Sequence, residues 1–578
     1  MVVPGGESSM LDQSVPAVRR HDLDALRSFA MLLGIALHAA LAYVGAGWVV
    51  NDTPASESLG VLVSAIHGFR MPLFFLLSGF FTAMLWQRRG LSGLLTQRTK
   101  RILIPLALAG SIIIPTMWSV NSWAIREQTE RLRGALPEDE AEAPRAPSPD
   151  IWTVAAYGDM QGLAAYTRGE PDLDAPDPNF GVTPLGWTAI KDTPEATAYL
   201  LEIGADPSAR YKDGNTPMHT ACFFGRAEVA EQLLRAGADL TIKSSAGEVP
   251  ADAMRHNQQT TEFIANLVRV PIDFAEVAAG RERIRGMIEA GAIAQDKAGA
   301  LGASERAGGN WFMSQLTSGV LFQHLWFLWF LCWLNAGFAV VVLCGRVLPR
   351  LRLPAALVAS PLALVWLVPV TMVFQLRMHG GGATPGFGPD TSAGLLPMWH
   401  VLGYYAVFFG FGAVVYSVRG AGARLGRFWY LALPAAAVLL PIGMVLGYDA
   451  ERAQGWVADD AVRHWCSAGV QVAYAWLVTF GLMGLCEALL SKGRRWVRFV
   501  SDSSYWLYLV HLPLIILGQG LLLRVEMPAL VEFGVLTLVT FAVLLVSYRY
   551  LDRYTPIGVM LNGRRVRESV SGTRPVAG

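Results

Sequence analysis

The stretch Arg27-Ser-Phe-Ala-Met-Leu-Leu-Gly-Ile-Ala-Leu-His38 decides the interpretation of this chain, because it is apolar enough to cross a bilayer and yet carries two basic groups. Each basic group is costly in lipid, so both are expected to face protein. Eleven helical residues make about three turns and rise about 16 Å, which places Arg27 and His38 on one stripe. The stretch alone leaves open whether Arg27 is only a membrane anchor and His38 only an interhelical hydrogen bond.

The composition predicts a polytopic membrane protein. The 578 residues are 53% hydrophobic and 16% charged, with a mean hydropathy of +0.37, which is too apolar for a soluble enzyme. A net charge of +1 indicates no nucleic-acid partner. The five cysteines have no paired spacing, so neither a metal site nor a disulfide framework is expected. The polar N-terminus lacks the pattern of a cleaved signal, and the first apolar segment is expected to be retained.

Ten apolar runs of spanning length predict the fold class, an all-α polytopic membrane helix bundle of about ten transmembrane helices. A large polar insert, expected to be a repeat solenoid, interrupts them. The runs lie at roughly 25–46, 60–86, 102–120, 320–344, 355–376, 397–417, 428–447, 464–488, 503–523 and 528–548.

Basic residues in the short connections predict the orientation. Alternate connections carry 24 lysines and arginines on one side and four on the other, so both termini are expected in the cytoplasm of a cell inner (plasma) membrane. An even number of spans agrees with this. The polar insert between the third and fourth spans is then expected to be extracytoplasmic.

The insert contains an internal repeat of 33 residues. Gly181, Gly214 and Gly247 are each 33 apart, and the segment Gly214-Asn-Thr-Pro-Met-His-Thr-Ala221 closely resembles the ankyrin consensus of a turn and two helices. About four copies are expected over 151–270, with degenerate end units acting as caps. A stack that only braces the membrane domain and a surface that binds a protein partner are both compatible with this pattern.

These features predict seven segments along the chain. They are a cytoplasmic tail (1–23), membrane helices 1–3 (24–120), a Pro/Glu-rich linker (121–150), the repeats (151–270), a second linker (271–314), membrane helices 4–10 (315–550) and a basic cytoplasmic tail (551–578).

Further polar residues lie within or beside the apolar runs. Arg70 is about ten residues, or about 15 Å, from the outer edge of its span, which predicts a functional site or a buried structural pair. Arg98 and Arg101, at positions i and i+3, share a helix face that can bind phosphate, although from the residues alone ordinary cytoplasmic positive charge is the favoured explanation.

Histidines and aromatic residues supply the remaining candidates. His324 and Trp326 begin the fourth span, where aromatic residues usually form an interfacial belt. His511 is a second deep imidazole, compatible with packing or with a site. His67 stands one turn before Arg70, and His379 lies in a glycine-rich outer loop that suits a binding mouth or any turn.

Together these residues resemble the membrane acyltransferase-3 family, and within it the glucans biosynthesis protein C group. The resemblance covers about residues 20–120 and 315–550. It is carried in the expected order by Asp24-Ala-Leu-Arg-Ser-Phe-Ala-Met-Leu-Leu-Gly-Ile-Ala-Leu-His38, His67-Gly-Phe-Arg-Met-Pro-Leu-Phe-Phe-Leu-Leu-Ser-Gly79, Arg98-Thr-Lys-Arg-Ile-Leu-Ile-Pro105, His324-Leu-Trp-Phe-Leu328 and Tyr505-Trp-Leu-Tyr-Leu-Val-His-Leu-Pro513.

The resemblance implies an integral-membrane O-acyltransferase. Arg27 and His38 would be the family's first-helix arginine and essential histidine, and Arg98 and Arg101 its third-helix pair. The donor substrate would be acyl-coenzyme A, either acetyl or succinyl, with no permanently bound cofactor, and the acceptor an extracytoplasmic glycan or related molecule. The ankyrin insert departs from the family pattern of a short loop between spans three and four.

The expected catalytic set is His38, Arg27 and Arg70. Arg98 and Arg101 are expected to bind the donor, with His38 as general base or acyl relay. The candidate substrate-binding residues are His67, His324, Trp326 and His511.

Two other classes of function remain open. A transporter or flippase would be identified by solute movement without acyl-coenzyme A. An ankyrin-based receptor or scaffold would depend on residues 151–270 but not on His38.

Overall fold

The computed structural model confirms the all-α fold, and no β-strand occurs in the residues that it describes. The tail before residue 20, most of the Pro/Glu-rich linker, residues 297–321, residues 380–385 and the basic tail after residue 562 lie outside them. The described residues are 20–44, 48–50, 56–134, 150–167, 172–177, 180–245, 247–268, 270, 272–296, 322–345, 354–379, 386–418, 420–491, 495–525, 527–553 and 555–562.

Three long helices precede the insert. They are α1 (His21–Ala40), α2 (Glu57–Arg98) and α3 (Ile104–Gly134). Asp22 and Asp24 in the first turn of α1 suit the positive end of its dipole. The chain bends within α2 at Gly90, whose φ of +68° is accessible to glycine, and a π-helical turn at Thr99–Leu103 joins α2 to α3.

The third helix is longer than its apolar run. We predicted a linker from residue 121, but α3 continues to Gly134. The added residues include the good helix formers Ala124, Arg126 and Glu127, so the helix persists after the hydropathy falls. Ala124 and Ile125 are buried, so this extension also packs against protein. Only the later part of the predicted linker remains a candidate linker.

The insert folds as successive helical units in the 33-residue register. Pro184 and Pro217 each occupy the first turn of a helix, where the missing N–H costs nothing, and Thr183 and Thr216 precede them as N-caps. The helices are α4 (Ile151–Tyr157), α5 (Met160–Thr167), α6 (Pro184–Lys191), α7 (Pro194–Glu202), α8 (Pro217–Phe224), α9 (Ala227–Arg235), α10 (Gln258–Leu267) and α11 (Phe274–Asp296).

The last repeat unit is irregular. Its first helix is replaced by a 3₁₀ turn at Pro250–Arg255, followed by α10. Helix α11 lies within the second predicted linker, but it packs on α8 and α9. Its Ile284 is fully buried in the core of the repeats. Because an exposed repeat face needs a cover, α11 extends the predicted C-terminal cap.

The remaining membrane region follows the insert. A 3₁₀ turn at Gln323–Leu325 leads into its first long helix. The helices are α12 (Trp326–Cys344), α13 (Ala355–Val358), α14 (Ala363–Gln375), α15 (Trp399–Ser417), α16 (Ala421–Gly426), α17 (Trp429–Tyr448), α18 (Ala450–Gln454), α19 (Asp460–Leu490), α20 (Arg495–Leu522), α21 (Ala529–Ser547) and α22 (Pro556–Asn562).

Within the described residues, eight helical stretches are long and apolar enough to cross a membrane. One of them, Glu57–Gln128, contains two of the predicted runs, on either side of the bend at Gly90. The eight stretches therefore account for nine of the ten runs. The tenth run, 355–376, forms the shorter apolar helix α14 of 13 residues.

The bundle is packed inside and apolar outside. Gly79 of α2 and Gly412 of α15 permit backbone contact, because a Cβ at these positions would lie 1.8 Å from Phe409 O and 2.0 Å from Leu76 O. On the outer surface, side chains such as Ile112 and Val365 are largely exposed. Apolar side chains in such numbers suit contact with lipid, which agrees with a membrane protein.

Candidate active site

Helices α1 and α20 run side by side in the same direction and define the two ends of the site. Near the start of both helices, Arg27 Nη2 donates to Ser501 O at 2.9 Å and to Ser501 Oγ at 2.8 Å. Near the end of α1, the His38 ring lies 5.1 Å from the His511 ring, centroid to centroid. The stripe that carries Arg27 and His38 therefore faces α20 along its length.

Three histidines from three helical segments meet at the second of these ends. His511 lies between His38 and His324, with the His324 and His511 ring centroids 5.3 Å apart. His324 and His511 are buried, whereas His38 is partly accessible. We call His38, His324 and His511 the histidine cluster.

Backbone contacts fix the tautomers of two of these rings. His324 Nε2 lies 3.1 Å from Leu509 O, and His511 Nδ1 lies 2.8 Å from Tyr508 O. A carbonyl oxygen only accepts, so these nitrogens carry the hydrogen and donate. The other nitrogen of each neutral ring is then an acceptor.

The remaining nitrogens of the cluster are unused. His324 Nδ1, His511 Nε2 and His38 Nδ1 are buried and have no hydrogen-bond partner among the described residues. Buried polar atoms without partners are uncommon in folded proteins because they cost desolvation free energy. The cluster thus has hydrogen-bonding and proton-accepting capacity that the fold does not use.

Arg70 lies next to the cluster. A Cβ on Gly34 would stand 2.3 Å from Arg70 Nη1, so the guanidinium lies directly on the α1 backbone at Gly34. Gly34 is one helical turn before His38 and on the same face. Arg70 Nε also has no hydrogen-bond partner among the described residues. A cation with spare donors therefore stands beside the His38 imidazole.

Two residues that the sequence analysis missed hold His38 in place. Gln519 Nε2 donates to His38 O at 3.0 Å and to Ala39 O at 3.2 Å, which satisfies carbonyls at the end of α1. Gln519 Oε1 accepts from Trp48 Nε1 at 2.9 Å, and the Trp48 ring stacks on His38 at 5.7 Å. A single glutamine inside the apolar run of α20 was the signal that would have found this contact.

The family comparison covers this whole site. Residues 20–141 and 298–549 match a family model described as an acyltransferase domain, and these two blocks are more than half of the chain. The chain belongs to this acyltransferase family. Between the blocks, residues 152–244 match ankyrin repeats in three copies. The resemblance drawn from the sequence is confirmed, and the irregular fourth repeat lies beyond the ankyrin match.

Curated relatives match a smaller part of the chain. Glucans biosynthesis protein C of Salmonella paratyphi B and of Salmonella enteritidis PT4 are each 37% identical over 117 residues, which is 20% of this chain and 30% of each relative. The match thus spans less than a third of the relatives' length. A crystal structure of the ankyrin repeat domain of Bcl-3 is 21% identical with a TM-score of 0.18, covering 21% of this chain and 50% of that one.

The structure separates the predicted acyltransferase residues into distinct places. Arg27, expected in the catalytic set, is held by Ser501 and lies eleven residues, or about 16 Å, from His38 along α1. Trp326, expected to bind substrate, packs among Phe75 and Tyr405 in an aromatic core, because its helical position faces α2 and α15. His324, two residues earlier in the chain, faces α20 instead and belongs to the histidine cluster.

The remaining predicted residues lie at different places along α2 and the turn that follows it. His67 Nε2 lies 2.9 Å from Pro389 O of an interhelical loop, one turn from Arg70. At the other end of α2, Arg98 Nη2 donates to Thr82 Oγ1 at 2.7 Å, and Arg101 lies within electrostatic range of Arg98. The π-helical turn that contains Arg101 widens the backbone there, and such turns are frequent at functional sites.

Proposed function

We propose that this acyltransferase moves an acetyl or succinyl group from cytoplasmic acyl-coenzyme A to a hydroxyl of an extracytoplasmic glycan or related acceptor. The observation that carries the proposal is the histidine cluster, in which His38 meets His324, His511 and Arg70 inside the bundle with ring nitrogens unused. The similarity to glucans biosynthesis proteins supports a glycan acceptor.

The donor would bind at the end of the bundle that carries the arginines. Arg98, Arg101 and Arg27 offer guanidinium groups suited to the phosphates of coenzyme A. Arg27 is tied to Ser501 and leaves part of its side chain exposed, as a surface phosphate ligand requires. The acyl thioester would then extend along α1 towards His38.

Transfer would be completed at the histidine cluster. In the general-base route, His38 takes the proton of the acceptor hydroxyl while its oxygen bonds to the thioester carbon. The C–S bond then breaks, and the His38 proton passes to the coenzyme A sulfur. In the relay route, a His38 nitrogen bonds to the acyl carbon as the C–S bond breaks, and the proton of the other ring nitrogen passes to the coenzyme A sulfur. The acceptor oxygen then bonds to the acyl carbon as the N–C bond breaks, and the hydroxyl proton restores the neutral imidazole.

Arg70 and His511 would assist either route. The Arg70 guanidinium beside Gly34 would stabilise the oxyanion that develops on the thioester carbonyl, where a fixed cation in a dry site is most effective. His511 Nε2, an acceptor without a partner among the described residues, would orient the His38 ring and stabilise its protonated form.

His38→Ala tests the proposal in purified protein reconstituted with acyl-coenzyme A and a glucan acceptor. We expect a loss of transfer of about 10²–10⁴-fold with normal membrane insertion, because the proton acceptor is removed. His21→Ala, on the same helix but in its first turn, is the matched control and should retain activity. Wild-type turnover by His38→Ala would refute the assignment, and a covalent acyl adduct on His38 in the absence of acceptor would select the relay route.

The same proposal places both termini in the cytoplasm of the inner membrane and the ankyrin repeats outside it. The support is the bias of lysine and arginine in the short connections. The repeats would then be available to a protein partner on the acceptor side or would brace the bundle. A reporter that is active only outside the cytoplasm, inserted at Gly237 in an exposed turn, should be active; activity of a cytoplasm-specific reporter at that position would reverse the orientation.

A further inference from the structure

A cavity of about 500 Å³ lies at one end of the bundle, apart from the histidine cluster. Its walls come from the C-terminal ends of α14 and α17, the first turns of α19 and the segment around Gly386. The opposite end of α19 carries Glu487, which lies within electrostatic range of Arg20 before α1. The cavity is therefore at the end of the bundle remote from the arginines proposed to bind the donor.

The cavity has an exposed mouth and a buried floor. At the mouth, the Asp460 side chain is 79% exposed and Trp465 is 57% exposed. At the floor, Gln375 is 2% exposed, and Gln471 and Ser467 are also buried. Gln471 lies eleven residues, or about 16 Å, along α19 from Asp460, so the cavity reaches well into the bundle.

Two wall residues retain unused polar atoms of opposite kinds. Arg463 Nη2 pairs with Asp460 at 2.5 Å, but Arg463 Nη1 is a donor without a partner among the described residues. Gln375 Nε2 donates to Gly388 O at 3.2 Å, and this contact orients the amide so that Gln375 Oε1 is an acceptor, likewise without a partner there. Both atoms are buried behind the cavity wall, and a rotation of either side chain would bring its unused atom to the cavity. A hydroxyl group both donates and accepts, so a polyhydroxylated ligand could then satisfy both atoms.

Trp465 adds an apolar surface to the polar groups of the cavity wall. The exposed Trp465 ring offers a flat apolar face beside these polar groups. A sugar ring has the same mixed character, with apolar C–H faces and a polar rim of hydroxyls. Cavities of about 300–1,000 Å³ with a few placed polar groups are typical small-ligand sites.

One short segment connects the cavity to the proposed active site. Gly388 O accepts from Gln375 on the cavity side, and His67 Nε2 contacts the next carbonyl, Pro389 O, at 2.9 Å. His67 is about 15 Å below the start of α2, a depth similar to that of the cavity floor, and it stands one turn from Arg70. His379 Nδ1 holds this segment through Asp390 at 3.1 Å.

We infer that this cavity is the carbohydrate acceptor subsite, which holds a sugar ring of the glycan by stacking on Trp465 and by hydroxyl contacts to Arg463 and Gln375. The inference rests on the proposed acyl transfer for its role as an acceptor subsite. Carbohydrate binding itself does not require the transfer reaction, so the two can be tested separately.

Kinetics in lipid nanodiscs test the acceptor role, with short linear glucose oligosaccharides as the acceptor probe. Trp465→Ala should raise the acceptor KM about tenfold and leave kcat and the KM for acyl-coenzyme A unchanged, because it removes ground-state binding of one substrate only. Arg463→Gln should act in the same direction. Trp456→Ala is the matched control, since Trp456 is 55% exposed just before α19 and does not line the cavity. Normal transfer with an unchanged acceptor KM in both cavity variants would overturn the inference and leave the proposed function intact.

Calorimetry with the His38→Ala protein tests binding without turnover. The same oligosaccharides should bind this protein, and adding Trp465→Ala should weaken binding about tenfold. Binding to this protein that depends on Trp465 would sustain a carbohydrate site, and it would do so even if the wild type transferred no acyl group and the proposed function failed. The inference would be overturned if the wild type bound no oligosaccharide, or if it bound inorganic phosphate and no oligosaccharide. Both results come from the wild-type protein, so they do not depend on whether the variants fold.

Discussion

The ankyrin repeats and the membrane bundle use the same side chains in opposite ways. In the repeats, His219 Nδ1 accepts from Thr216 N at 3.1 Å and His219 Nε2 donates to Glu248 O at 3.0 Å, and burial lowers the pKa of this imidazole. Arg281 donates to Phe223 O at 3.1 Å, to His256 O at 2.6 Å and to Thr261 Oγ1 at 2.9 Å. Through these hydrogen bonds, both side chains hold neighbouring segments of the repeats together.

In the bundle, the corresponding groups are only partly engaged. His38 Nδ1 and Arg70 Nε are buried without hydrogen-bond partners among the described residues, although they stand beside each other near Gly34. A buried polar group that has its hydrogen-bond partners stabilises a fold. A buried polar group without partners lowers the stability of the fold and remains available to a substrate. The comparison distinguishes the histidine and arginine that stabilise the repeats from the histidine and arginine proposed to act in transfer, and three substitutions test it.

Arg70→Met should have the largest effect. We expect kcat to fall about 10²–10³-fold, since a fixed donor to the oxyanion is lost. The protein should fold at least as well as the wild type, because removing a buried cation without a partner carboxylate among its described contacts relieves its desolvation cost. Transfer kinetics and thermal unfolding in nanodiscs measure the two quantities. Wild-type kcat in this variant would place Arg70 among the structural groups instead.

Arg281→Met should lower the stability of the repeats and leave acyl transfer unchanged. We expect the repeats to lose about 2–3 kcal/mol of stability, because two backbone carbonyls and a hydroxyl lose their shared donor, while transfer by the bundle continues. Hydrogen exchange of residues 217–262 in the full chain measures the loss. Arg283→Met, two residues along α11 and exposed, is the control and should leave exchange unchanged. Unaltered exchange in Arg281→Met would remove the proposed distinction.

Gly34→Ala should have the smallest effect and sharpens the comparison most. The added Cβ would stand 2.3 Å from Arg70 Nη1 and displace the guanidinium, whereas alanine suits the helix itself. We expect transfer to fall about tenfold with normal folding. Gly337→Ala is the control, because a Cβ there meets no described atom within 4 Å.

A double variant checks the origin of the Gly34 effect. If displacement of Arg70 is the cause, Gly34→Ala should reduce transfer no further in the Arg70→Met protein. Additive losses would show that Gly34 acts on the site by another route, such as the packing of α1.

Much of the architecture was predictable from local patterns. Long apolar runs, the 33-residue repeat and its prolines specify helices whose existence depends little on distant residues. The extent of α3 was not predictable from hydropathy, because its last turns continue through polar helix formers such as Arg126 and Glu127. His324 was a candidate substrate-binding residue, but its place beside His511 was not predictable, because it depends on the contact with Leu509 of α20.

The sequence by itself determined the helical membrane bundle, the inserted repeats, the family and the candidate residues on α1, because periodicity, hydropathy and motif spacing are properties of neighbouring residues. The tertiary structure decided which candidates meet. It brought residues 38, 324 and 511 together from distant parts of the chain, moved Trp326 into the core and formed the cavity at Gln375. Helix packing sets these distances through contacts between residues hundreds of positions apart, which no local pattern encodes.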